Sequence, residues 1–194
     1  EDNNNIIKDL ILSNFSLKNF NIHFFPNLQK LDLNMCTYFP IKYFSENPPR
    51  NLKSLSFMEM NLTEMNWESL FQKTKLRGIT VLSCTLNNEN KLLKNLPKEL
   101  KYLSLNLIGG EWSRLQNLNL IKFKLIGDNF SDCSIILKDL NKDLKILELN
   151  HVHCNNWENL IKQLPETEEK AGGSVDKEVA DMTDEELRAI IEGK

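Results

Sequence analysis

One pattern of apolar residues recurs through most of the chain and limits what it can fold into. Apolar residues stand at positions 1, 4, 6, 9 and 11 of each unit, and the first unit has them at Ile7, Leu10, Leu12, Phe15 and Leu17. Six further units begin at Leu28, Leu52, Leu76, Leu100, Leu115 and Leu144. A short strand over positions 4 and 6 sends both side chains to one face. Because one unit cannot bury that face alone, the pattern predicts coils that stack into a solenoid with a continuous core.

The frame resembles that of the leucine-rich repeat family, L-x-x-L-x-L-x-x-N/C-x-L with a period of 20–29 residues. The resemblance covers residues 6–164, and Cys36 and Cys84 stand where the family has Asn or Cys. It implies an α/β solenoid with a curved parallel sheet on the concave side and short helices on the convex side. The other units have Phe, Met, Ile or Val at this place, so the turn amides need other partners. Leu100 and Leu115 are too close in the sequence for a full coil, which predicts an abbreviated turn near 110–115.

Several segments between the strands carry the signals of short helices. Asn66 can cap a helix that begins after it, and Asn155 with Glu158 is arranged as a capping box. Pro97 and Pro165 stop two of the helices. The predicted helical segments are 41–45, 66–71, 90–96, 132–140 and 155–164.

Composition changes near residue 164. All 25 Asn residues precede it, and residues 1–164 hold 20 Lys/Arg and 17 Asp/Glu, whereas residues 165–194 hold 4 and 10. We therefore predict a solenoid of about seven units over 1–164, a linker over 165–174 and an acidic amphipathic helical tail over 175–194. Leu187, Ile190 and Ile191 follow a capping box and are predicted to dock on the last coil or on another chain. The sequence leaves open whether the tail is a natural extension or a fusion.

Signatures of catalysis, cofactors and metals are missing from the sequence. It has no Gly-rich phosphate loop, nucleophile elbow or His-Glu-x-x-His motif, so no catalytic residue, no enzymatic activity and no cofactor is predicted. The four cysteines include no C-x-x-C pair. Cys36 and Cys84 belong to coils two apart and are predicted to be buried free thiols about 10 Å from each other. His151 and His153 alternate with the inward Cys154, so no metal site is expected there, and the third histidine, at position 23, has no evident partner.

The outward strand positions 3, 5 and 7 predict the surface that meets a partner. They combine small, lightly charged residues with exposed apolar side chains, a mixture typical of an interface centre. The predicted partner-binding residues are Met58, Leu82, Tyr102, Asn106, Asn119 and Ile121. No row of Lys or Arg follows this face, and the chain has a net charge of −3, so a nucleic-acid partner is not expected. No apolar run approaches the ~18 residues that cross a bilayer, so no membrane partner is expected.

These features together predict a non-catalytic module that binds another protein as an adaptor, scaffold or assembly subunit. Free thiols, and the lack of Cys-flanked caps, favour a place inside the cell, in the cytoplasm or nucleus. Two alternatives remain open. One is a regulatory subunit of an enzyme, such as a GTPase activator or a phosphatase-targeting subunit. The other is a structural subunit that docks in a larger assembly through its edges and tail.

Overall fold

A single parallel sheet organises the part of the chain that the computed structural model describes, which is residues 6–106, 112–130 and 143–154. The sheet has seven strands, ordered β1 to β7 as in the sequence. Their bounds are β1 Asp9–Ser13, β2 Lys30–Asn34, β3 Ser54–Met58, β4 Gly78–Leu82, β5 Tyr102–Leu105, β6 Lys122–Phe130 and β7 Ile146–Cys154. The predicted helices over 132–140 and 155–164, the linker and the tail with Leu187, Ile190 and Ile191 lie outside the described residues.

The register of the strands aligns the apolar positions in two columns. Leu31 pairs with Leu55, Leu55 with Ile79, and Ile79 with Leu103, which form the column of position 4. These four side chains are 0–1% exposed, as are the position-6 side chains from β2 to β6. The predicted inward direction of positions 4 and 6 is therefore confirmed for the central strands, and the sheet is built from equivalent coils.

The sixth coil begins later in the sequence than predicted. Phe123 pairs with Leu103, and Leu125 pairs with Leu105, so these two residues occupy positions 4 and 6. The coil then starts at Leu120 rather than Leu115, and the intervals on either side of it are 20 and 24 residues. The short interval predicted between Leu100 and Leu115, and the abbreviated turn derived from it, were wrong.

The described connections between strands contain three short α-helices. They are α1 Ile41–Glu46, α2 Trp67–Lys73 and α3 Glu89–Asn95, and 3-10 helices cover Ile22–Phe24 and Trp112–Asn117. The side-chain oxygen of Asn66 accepts the backbone N–H of Ser69, which confirms the predicted cap of α2. Neighbouring helices contact one another in chain order. Their buried side chains, such as Phe44, Leu70 and Leu93, complete the core against the sheet.

A left-handed residue stands at position 8, directly after β1 to β4 and inside β6 and β7. Position 8 has a positive φ in every coil where it is described, at Asn14, Met35, Glu59, Ser83, Gly127 and His151. The reversal turns position 9 back into the core, and Cys36 and Met60 are buried there. At Gly127, φ is 74° and a Cβ atom would lie 3.0 Å from Asn106 Nδ2, so glycine suits this turn.

The turn amides find partners without an Asn ladder. The backbone N–H of Met35 donates to Met58 O at 2.9 Å, and that of Glu59 donates to Leu82 O at 3.0 Å. The Cys36 amide lies 3.2 Å from the thioether sulfur of Met60. The turn amides of one coil therefore donate to groups of the next coil. These contacts replace the Asn side chains that the leucine-rich repeat frame would supply.

Two apolar positions of the frame point to solvent instead of the core. Phe15, at position 9 of the first coil, is 54% exposed, and Tyr38, at position 11 of the second, is 74% exposed. Phe15 belongs to the terminal coil, which has no neighbour before β1 in the sheet. Tyr38 has a φ of 56°, and the next residue, Phe39, is buried in its place.

Candidate interaction surface

The open face of the sheet, formed by positions 3, 5 and 7, is the side away from the core. Met58 and Leu82 are paired neighbours on this face and are half-buried. Tyr102 begins β5 on the same face. Asn106 follows β5, and its Nδ2 donates to Ile126 O at 2.7 Å. Four of the six predicted partner-binding residues thus lie where the frame placed them.

Asn119 and Ile121 do not lie on the strand positions that the sequence assigned to them. Both precede β6, because the sixth coil starts at Leu120. The residues that fill positions 3, 5 and 7 of this coil are Lys122, Lys124 and Ile126. The open face therefore carries Lys122 and Lys124, which the predicted frame did not place there, in addition to Lys30 of β2, which that frame did place there.

The two lysines form a charged cluster with the next strand. Lys122 Nζ lies 2.5 Å from Glu148 Oε1, and Lys124 Nζ lies 2.9 Å from Glu148 Oε2. Lys122 Nζ also lies 5.9 Å from the centre of the Tyr102 ring, within the range of a cation–π contact. One carboxylate thus holds two cations, and this end of the face keeps one unit of excess positive charge.

The electrostatics of Glu148 follow from this cluster. Burial raises its pKa, but the hydrogen bonds and positive charges of Lys122 and Lys124 outweigh burial and hold the pKa of Glu148 below its ordinary value. The folded chain therefore favours the ionised carboxylate at neutral pH.

Neutralising Glu148 tests this cluster. A carboxyl with a lowered folded pKa stabilises the fold above the unfolded pKa, ~4.3, and the stabilisation is lost as the pH falls through the folded pKa. Glu148→Gln should therefore lower the free energy of unfolding at pH 7 by less than about 1 kcal/mol, because the pair is partly exposed. Urea titrations should show the difference from wild type shrinking below about pH 5. The control is Glu64→Gln at an exposed site, and a pH-independent effect of Glu148→Gln would contradict the cluster.

Two polar atoms on the open face are buried without a hydrogen-bond partner among the described residues. They are Oδ1 of Asn34, at the end of β2, and Oγ of Ser104, in β5. Ser104 is 1% exposed although it occupies an outward position, which places it beneath its neighbours on this face. Burying a polar atom without a hydrogen-bond partner costs free energy. At both atoms, therefore, the open face is less stable in the free chain than a fully hydrogen-bonded face would be.

Cys36 and Cys84 are free thiols, as predicted. Cys36 is buried and Cys84 is half-buried, and the Cys36 thiol lies 3.4 Å from the carbonyl oxygens of Leu12 and Asn34. Burial raises the pKa of Cys84, with smaller opposing contributions from backbone hydrogen bonds, so this thiol is held in its protonated form.

The histidines do not form a ligand set in the described ranges. Among these residues, no three His, Cys, Asp or Glu side chains come together as metal ligands. His23 has a partner that the sequence did not predict, because its Nε2 lies 2.8 Å from Tyr43 Oη and the two rings meet edge to face. Within the same part of the chain, no helix has the length and apolar character needed to cross a membrane.

Neither a model of a known protein family nor a curated protein matches the chain. The surface itself is therefore the guide to function.

Proposed function

We propose that the chain is a leucine-rich repeat module that binds another protein through the open face of its sheet and has no catalytic activity of its own. The coil intervals of 20–24 residues support the family assignment, because they fall within the period of these repeats. The free thiols at Cys36 and Cys84 support an intracellular setting, in the cytoplasm or nucleus.

The apolar row on the open face carries this proposal. Met58 and Leu82 stand side by side in register, and Ile126 occupies the same position two coils further on. All three are half-buried on the side away from the core. The row ends at the Lys122–Glu148 cluster, so an apolar centre is bordered by charged groups, which is the anatomy of a protein interface.

A double substitution on this face tests the proposal. Met58→Glu combined with Tyr102→Ala places a charge in the apolar row and removes the aromatic residue at position 3 of the same face. Such central interface residues commonly contribute more than about 1 kcal/mol each, so we expect at least a ~10-fold loss of partner recovered by affinity capture from the native source.

The matched control is Lys42→Glu with Tyr43→Ala, two exposed residues of α1 on the other side of the molecule. Circular dichroism melting should show both variants folded. Recovery of the same partners by the open-face variant and the wild type would contradict the proposal and favour a structural subunit that docks through its edges.

A further inference from the structure

We propose that a basic rim at the start of the strands binds an extended acidic segment of a partner polypeptide, at a site separate from the apolar row of Met58, Leu82 and Ile126. This rim, called the leading rim, runs in each described coil from two residues before position 1 to two residues after it. It contains ten Lys or Arg residues, which are Lys8, Lys30, Arg50, Lys53, Lys75, Arg77, Lys98, Lys101, Lys122 and Lys145. None of them is buried.

One column of the rim is mostly basic. Position 2 is Lys or Arg in five of the seven coils, at Lys8, Lys53, Arg77, Lys101 and Lys145. Since 24 of the 194 residues are Lys or Arg, seven positions would hold about one by chance. The column is not a product of composition.

Backbone hydrogen bonds place these residues one above another. The carbonyl of Lys53 accepts the amides of Arg77 and Gly78, and the carbonyl of Arg77 accepts those of Lys101 and Tyr102. The same pattern joins every described coil to the next, so position-2 backbones follow one another at about 4.8 Å.

The opposite edge of the sheet has a different charge. Positions 7 to 11 of the described coils, called the trailing rim, include no Lys or Arg and include the acidic residues Glu59 and Asp128. The leading rim contains three acidic residues in its described part, Asp9, Glu99 and Asp143, and so has a net charge of +7. A chain whose total charge is −3 therefore concentrates positive charge along one edge.

Like charges facing each other on neighbouring strands are unfavourable in the free chain. Of the ten cations, Lys122 contacts Glu148, Lys101 Nζ donates to the carbonyl of Asn119 at 3.3 Å, and Lys53 also has an interaction partner. Departures from a locally favourable arrangement are expected at functional positions, and an anionic ligand along this edge would offset the repulsion.

The dimensions and composition of the rim favour a polypeptide as that ligand. Seven strands at about 4.8 Å span about 29 Å, the length of an extended peptide of about nine residues. Single-stranded nucleic acid is usually held by several aromatic side chains that stack on its bases. The described part of the leading rim contains one aromatic residue, Tyr102.

Fluorescence anisotropy with the full chain tests the proposal. The probe is a labelled ten-residue peptide of alternating Glu and Ser, and a labelled ten-nucleotide uridine RNA is run in parallel. Arg77→Glu with Lys101→Glu should weaken peptide binding at least ~10-fold, and raising the salt from about 50 to about 300 mM should weaken wild-type binding. The matched control, Lys91→Glu with Lys94→Glu, reverses two exposed charges on α3 and should leave the affinity within about twofold.

A further variant tests competition from within the chain. It carries Glu168→Gln, Glu169→Gln, Glu185→Gln and Glu186→Gln, which reduce the negative charge of the C-terminal segment. Tighter peptide binding by this variant would show that the chain's own acidic segment competes for the rim, which supports a site for acidic polypeptide.

Three results would overturn the proposal. They are an absence of peptide binding in both the wild type and the C-terminal variant, an equal loss in the α3 control, and tighter binding of the RNA than of the peptide. Met58→Glu alone, at position 7 of the open face and outside the leading rim, should keep peptide binding. A failure of the open-face proposal is therefore distinguishable from a failure of this one.

Discussion

Replacing Leu103 with Asp is expected to lower the free energy of unfolding by about 4 kcal/mol or more, because it buries a carboxylate without a partner. Leu103 is 0% exposed and lies in the middle of the position-4 column, with Ile79 on one side and Phe123 on the other. The nearest basic strand residues, Lys122 and Lys124, belong to the opposite face. Since single domains are stable by only about 5–15 kcal/mol, much of the native stability is lost.

The matched control for Leu103→Asp is Thr80→Asp. Thr80 is half-buried at an outward position of β4, and its neighbours across the sheet are Ser56 and Ser104, so the new carboxylate reaches water and faces no other charge. This change should alter the free energy of unfolding by less than about 1 kcal/mol. Urea titration followed by circular dichroism measures both variants. A loss below about 1 kcal/mol for Leu103→Asp would contradict the inward direction of position 4, on which the whole arrangement of coils depends.

Much of the fold could be predicted from the sequence because the spacing of the apolar residues matches the geometry of a strand that repeats in each coil. The spacing of positions 4 and 6 determines which side chains face inward, and the regular interval between units repeats the same pair in the next coil. Asn66 and Trp67 marked the start of α2 because a side-chain oxygen before a helix satisfies an otherwise free amide. Such local signals need no knowledge of distant residues.

The sixth coil was misassigned because two frames fit the same apolar residues. Leu115, Leu118 and Leu120 have the spacing of positions 1, 4 and 6, and so do Leu120, Phe123 and Leu125. Apolar spacing alone cannot distinguish them, and the 3-10 helix Trp112–Asn117 places the first of these leucines in a connection. The intervals between successive coil starts distinguish the two frames. A start at Leu120 keeps the intervals from Leu100 and to Leu144 within the period of leucine-rich repeats, whereas a start at Leu115 makes the first interval too short for a full coil.

That single shift also changed the candidate site. With the first frame, Asn119 and Ile121 occupied the open face, and Lys30 was its one basic residue. With the correct frame, Lys122 and Lys124 replace them and meet Glu148. The basic column at position 2 was missed for a different reason. Its five cations lie in coils whose starts the sequence frame placed correctly, so the column can be read from the sequence, but the interaction surface was predicted from positions 3, 5 and 7 alone.

The second large effect is expected at Phe44, which anchors α1 to the sheet. Its ring is 0% exposed and lies 5.3 Å from that of Phe39 and 6.3 Å from that of Phe57 in β3. Phe44→Ala removes most of this side chain and leaves a cavity between helix and sheet, so we expect a loss of about 3–5 kcal/mol. A helix as short as α1 has little stability of its own. Hydrogen exchange should therefore also quicken at the Asn47 amide, which donates to Tyr43 O at 2.9 Å.

The neighbouring residue supplies the matched control for this cavity. Tyr43 is 48% exposed, and its hydroxyl interacts with His23 at the surface, so Tyr43→Ala opens no cavity and should lower the free energy of unfolding by less than about 1 kcal/mol. Both variants lose an aromatic ring from the same helix and differ only in the direction of the side chain. Urea titration should therefore separate them by at least about 2 kcal/mol. Equal losses of unfolding free energy would contradict the packing of α1 against the sheet through Phe44.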